Sequence, residues 1–153
     1  MTTLHFPVSL AAPEHAAQAA STEVSPGVAG GVRLTLRAEG LAILAAAVAL
    51  FAHAGYSGGL FAVLFLVPDL SLLGYLAGPR AGAAIYNCAH SLLGPVSLGI
   101  AAVIAAPTAL PYALIWAAHV GFDRALGYGL KYGTAFGHTH LGRIGRLHAA
   151  QRG

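Results

Sequence analysis

Forty-two consecutive residues, 81–122, contain no Asp, Glu, Lys or Arg. As one helix they would measure about 63 Å at 1.5 Å per residue, roughly twice the 30 Å hydrocarbon layer of a bilayer. The stretch must therefore turn inside itself. Ala106-Pro107-Thr108-Ala109-Leu110-Pro111 supplies the break, because proline ends helices. A second gap, residues 40–79, carries only Asp69 and breaks at Gly55-Tyr56-Ser57-Gly58-Gly59. Two stretches with at most one charge, each divided once, predict four transmembrane helices over about 39–54, 60–77, 81–106 and 109–130. The expected fold is an all-α integral membrane bundle.

Composition agrees. Of 153 residues, 57% are hydrophobic and 8% charged, and the mean hydropathy is +0.71. A soluble domain carries roughly a quarter charged residues. Disorder, a coiled coil and most soluble folds are excluded over the hydrophobic region. Eight scattered Lys and Arg against five Asp and Glu make no dense phosphate-binding face, so nucleic acid is not an expected partner. The single Cys88 excludes a disulfide framework and any multi-cysteine metal site.

The cations set the orientation. Arg33 and Arg37 precede span one, and Arg80 separates spans two and three. Arg124, Lys131, Arg143, Arg146 and Arg152 end or follow span four. All eight fall on one side, so by the positive-inside rule both termini are cytoplasmic. The domain organisation expected is a disordered cytoplasmic extension over 1–32, a transmembrane domain over 33–132, and a basic tail over 133–153 with glycines and histidines. The opening residues lack the basic start and apolar run of a signal peptide.

Ionisable side chains are costly in a bilayer and usually face a partner, a cavity or a substrate. Counted from the cytoplasmic cations at 1.5 Å per residue, Asp69 lies about 16 Å deep, His90 about 15 Å, His119 about 18 Å and Asp123 about 12 Å. Four ionisable groups from three spans thus share one level. In span four, Tyr112, Trp116, His119, Asp123 and Gly127 form one stripe, and His119 and Asp123 at i,i+4 can touch one ligand together. In span three, Tyr86, His90 and Ser97 share a face, with Asn87, Ser91 and Gly94 beside it. Gly82, Gly94 and Gly99 permit close helix approach. Pro68 is expected to kink span two next to Asp69, and Glu39 to cap the first helix.

Three chemistries fit. Two imidazoles and two carboxylates suit a divalent metal such as zinc, iron or manganese, as in other helix bundles. In an enzyme of this kind the metal activates water, His140 or Tyr128 handles protons, and Arg124 and Lys131 hold an anionic or lipid-like substrate. Alternatively the cluster is structural: Asp69 or Asp123 pairs with Arg124, the histidines bond to polar neighbours, and the tail recruits a partner. A proton-coupled carrier titrating at Asp69 or Asp123 is the third, disfavoured because Glu39 lies near the membrane surface, whereas dimeric four-span exporters centre on a deep glutamate. The tail 133–153 suits either a basic juxtamembrane anchor or a loop returning over the cytoplasmic mouth. Glycine-lined faces suit a homo-oligomer as well as a single chain.

The chain resembles the small bacterial integral membrane proteins catalogued as domain of unknown function 4260, over residues 37–143. The resemblance rests on Pro68-Asp69-Leu70-Ser71, Gly74-Tyr75, Gly78-Pro79-Arg80 and Tyr86-Asn87 with His90. It continues through Trp116, His119, Gly121, Asp123-Arg124 and Gly127-Tyr128-Gly129-Leu130-Lys131-Tyr132 to Thr139-His140-Leu141-Gly142. The chain departs from the family pattern at His138, where an acidic residue is usual. The resemblance implies a multi-pass protein of the bacterial cytoplasmic membrane and assigns no activity, substrate or cofactor. Membrane-bound metal-dependent hydrolases offer a looser likeness, in residue type alone.

Overall fold

The computed structural model describes residues 27–28 and 30–144. The rest of the N-terminal extension, with His5 and His15, and the end of the tail, with Arg146, His148 and Arg152, lie outside the described residues. The described chain is all-α apart from one small hairpin, and it makes four helical passes.

Pass one is α1, Gly30–His53, 24 residues long. It begins inside the segment expected to be an irregular extension. Glu39 therefore sits about two and a half turns into the helix, too far in to cap it. Gly55, at φ 71°, reverses the chain. Ser57 then caps α2, Gly58–Leu64, its Oγ accepting from Leu60 N–H at 3.5 Å. Leu64 is four residues before Pro68, whose ring clashes with that carbonyl and which has no N–H to offer it. The pass continues as a 3-10 helix over Val67–Ala77, with Asp69 in its first turn.

Gly78, at φ 103°, turns the chain into α3, Pro79–His90, with Pro79 in the first turn where its missing N–H costs nothing. The same proline rule divides the third pass. Pro95 disfavours a helical bond to Ser91, and Ser91 is extended at φ −86°, ψ 151°. The expected unbroken span is thus two helices, α3 and α4, the latter Leu93–Ile104. A short 3-10 turn, Pro107–Ala109, leads into α5, Leu110–Leu126.

Gly30–His53, Gly58–Ala77 and Pro79–Ile104 are each long and apolar enough to cross a membrane. Their outer faces are apolar: Leu76 is 89% exposed and Val103 78%. The fourth pass, α5, has 17 residues and is the most buried, with Ala113, Ile115, Ala118, His119 and Val120 all inside. It crosses α1 at Gly40 and Gly121. A Cβ on Gly121 would stand 2.7 Å from Leu44 N and 2.8 Å from Gly40 O, so the backbones touch there. Gly82 and Gly94 are filled by the Tyr75 and Trp116 rings, whereas Gly99 meets only Ala113 Cβ at 3.8 Å, an ordinary contact.

Gly127, at φ 98°, ends α5 in a Schellman pair: its N–H bonds Arg124 O at 3.0 Å and the Tyr128 N–H bonds Asp123 O at 2.8 Å. The chain then folds back on the bundle rather than trailing away. Asn87 of α3 grips Lys131 at both backbone groups, donating to its carbonyl at 2.9 Å and accepting from its N–H at 2.7 Å. Strands β1, His138–Thr139, and β2, Gly142–Arg143, pair antiparallel. Lys131 bridges to Thr139, and Val28 N–H bonds His140 O at 2.8 Å.

Candidate metal centre

Asp69 comes from the 3-10 segment, His90 from the last turn of α3, and His119 and Asp123 from one face of α5. Each offers one ligand atom, and these atoms all lie within 4.8 Å of one another. His90 Nε2 is 3.2 Å from His119 Nε2, 3.5 Å from Asp69 Oδ1 and 3.5 Å from Asp123 Oδ2. His119 Nε2 is 3.6 Å from Asp69 Oδ1. Four donors held 2.0–2.1 Å from one ion in a tetrahedron stand about 3.3–3.4 Å apart. These four separations bracket that edge, so the group could hold a metal ion. Two imidazoles and two carboxylates are also a donor set that zinc, iron and manganese accept, and a divalent cation offsets the two carboxylate charges.

Tyr86, one turn before His90, orders this arrangement. Its carbonyl stands 3.0 Å from His90 Nδ1 and can only accept, so that nitrogen carries the proton and the Nε2 lone pair faces the cluster. The Tyr86 ring stacks on the imidazole with centroids 3.7 Å apart. Its hydroxyl donates to Asp123 Oδ2 at 3.1 Å. Sequence placed Tyr86 on the His90 face without a role. The i,i+4 spacing was the available signal, but only the crossing of α3 and α5 brings the hydroxyl to Asp123.

His119 is held differently. It is 1% exposed, with the Phe65 ring edge-on at 5.4 Å, and its Nδ1 is buried with no hydrogen-bond partner. Without an ion, the same geometry closes as a hydrogen bond from His119 Nε2–H to His90 Nε2.

The remaining candidates lie around this centre. Lys131 is buried; its Nζ sits 3.2 Å from the Phe136 ring centroid and 4.6 Å from that of Tyr86, and donates to Phe136 O at 3.4 Å. Burial pushes its ammonium down to about 8, against the pull of Asp123. His140 accepts from Leu130 N–H through Nδ1 at 2.8 Å, which leaves its proton on Nε2. That nitrogen stands 3.5 Å from Arg124 Nη1, so two donors meet side by side. Burial, then Arg124, hold the imidazole below the usual histidine range. Arg124 thus faces His140, while the partners of Asp123 are Tyr86 and His90. Tyr128 is exposed and reaches Asp123 through its backbone N–H.

Comparison with curated proteins and with solved structures returns no match. A family model described as "Domain of unknown function (DUF4260)" matches residues 33–144, a span that holds every residue of the centre. The chain belongs to the DUF4260 family.

Proposed function

We propose that the protein is a four-span, metal-dependent hydrolase of the bacterial cytoplasmic membrane, with both termini cytoplasmic. Asp69, His90, His119 and Asp123 hold one divalent ion, zinc, iron or manganese. The observation that carries this reading is four donor atoms, from three separate passes, gathered within 4.8 Å. The orientation is supported by the clustering of cations at one end. Arg33 and Arg37 pack against Gly127, Arg37 donates to Ala125 O at 2.8 Å, and Arg80 lies beside Gly133. In this reading α5, sheathed by the other passes, is the fourth span.

An ion held by Asp69, His90, His119 and Asp123 would supply an acidified water near neutral pH and polarise the bond to be cut. Around it the chain's residues divide the work. Tyr86 holds the Asp123 carboxylate and fixes the His90 tautomer. His140 donates a hydrogen bond from its Nε2–H to the leaving oxygen, and Tyr128 passes protons to the cytoplasm. Arg124 and Lys131 hold the anionic part of the substrate. Water adds OH to the acyl or phosphoryl centre, and its remaining hydrogen leaves with the alcohol. The test is hydrolysis of lipid carboxylic and phosphate esters by chelator-stripped protein in mild detergent, before and after zinc, iron or manganese is restored. Metal-dependent turnover that vanishes in a folded His90→Ala variant supports the reading; a folded, metal-loaded protein inert on both ester classes overturns it.

The orphaned Nδ1 of His119 favours a second reading, a non-catalytic protein whose cluster locks the passes together. A ligating histidine usually donates from its other nitrogen, and His119 has no such partner. This reading predicts that His119→Ala lowers stability whether or not metal is present, by about 3–5 kcal/mol if a buried ion pair is broken.

A further inference from the structure

Beside the centre lies a cleft of about 500 Å³, walled by Leu64, Val67, Ser71, Leu98, Ile115 and Trp116. Apart from the Ser71 hydroxyl these walls are apolar. Ser71 also touches the centre from behind, its Oγ 3.5 Å from His90 Nδ1. The indole of Trp116 does not fill the space, because its Nε1–H is tied to Ala89 O at 2.6 Å and its ring is pressed against Gly94. It is therefore a fixed wall.

The cleft has a direction. Along α5, Asp123 and His119 are followed by Trp116, Ile115 and then Tyr112, which also lines it. Tyr112 is seven residues from His119, about 10 Å along the axis, on the side away from the cationic end. A lipid of the cytoplasmic leaflet is laid out in the same order, with its polar link toward the cytoplasm and its chain toward the bilayer centre. Apolar clefts of this size accept hydrocarbon.

We propose that this cleft holds one hydrocarbon chain of a cytoplasmic-leaflet lipid, whose ester or phosphoester link is presented to the four-residue centre. The inference rests on the hydrolase reading for the fate of that link. The occupancy of the cleft stands on its own lining and direction.

The full-length protein is reconstituted in phosphatidylethanolamine and phosphatidylglycerol vesicles that carry a phosphatidylglycerol with a diazirine within one acyl chain. Photolabel is then mapped by mass spectrometry, and bound metal is measured on the same samples. Label concentrated around Leu64, Leu98 and Tyr112 is expected. It is lost there in Leu98→Trp and in Ala89→Phe, Ala89 being another lining residue, while label at bilayer-facing Leu76 and Val103 persists. Cleft residues labelled no more than Leu76 and Val103, label unchanged by the plugs, or crosslinks to a second copy would overturn the proposal. If neither plug variant folds, unlabelled lysophosphatidylglycerol must displace the cleft label from wild type and spare that at Leu76; failure to do so is equally contrary. Metal retained without cleft labelling removes the lipid-chain site alone. Cleft labelling without any metal removes the hydrolase reading alone.

Discussion

The Nε2 atoms of His90 and His119 stand 3.2 Å apart, and the proton of His90 is already committed to Tyr86 O through Nδ1 at 3.0 Å. One lone pair therefore points at the other ring and at two carboxylates. Either His119 donates into it or a cation sits between them, and the carboxylates give the cation its charge balance.

Tyr86 ties this geometry together, so Tyr86→Phe is expected to weaken metal binding while keeping the stacked ring on His90. Losing the hydroxyl leaves Asp123 free to turn. Removing an orienting partner of this kind typically costs about 10–100-fold in metal affinity. Competition with a chromophoric chelator measures it; unchanged affinity would show that the hydroxyl orders nothing.

The crossing of α1 and α5 has no room for a side chain at Gly121. Gly121→Ala places a methyl within 2.7 Å of Leu44 N. Overpacking of this sort costs about 1–3 kcal/mol, read as a lower unfolding midpoint in detergent. Gly99→Ala, whose methyl would meet Ala113 Cβ at an ordinary 3.8 Å, is the control and should be close to neutral.

Sequence made the polar level legible and left the crossings hidden, for a physical reason. A depth count from the cations needs only the rise per residue, and Asp69, His90, His119 and Asp123 do meet. Which faces meet across two helices depends on ridge packing, so Gly40 opposite Gly121, and Tyr86 opposite Asp123, were not visible in either helix alone. The break at Ser91 is legible in principle, because Pro95 denies it a helical bond just as Pro68 denies one to Leu64. The return of the tail is not legible, because the grip of Asn87 on Lys131 is between side chain and backbone and leaves no periodic trace.

That grip predicts a local effect. Asn87→Leu leaves the Lys131 N–H and C=O unpaired, at about 1–3 kcal/mol for each buried group. Amide exchange should quicken across residues 128–144 and stay slow in the core of α5. Uniform quickening throughout the bundle would instead mean that Asn87 supports the whole fold.

Lys131 gives the fold a pH dependence. Its folded value is about 8, against an ordinary 10.5, so between those limits the unfolded chain binds the extra proton. Stability from this group therefore rises with pH across that window. The unfolding midpoint of wild type minus that of Lys131→Met should increase from pH 8 to pH 10. A flat difference would mean that the ammonium is solvated rather than caged by Phe136 and Tyr86.

The central claim is that the four-residue group binds metal. The most direct measurement is bound metal by mass spectrometry, on protein purified in mild detergent without affinity histidines, beside a His119→Ala, Asp123→Ala double variant. The account predicts close to one equivalent of zinc, iron or manganese in wild type, since one tetrahedral donor set takes one ion, and none in the variant. A well-folded wild type that holds no metal, even after the ions are added back, would contradict it and leave a hydrogen-bonded cluster that locks the passes together.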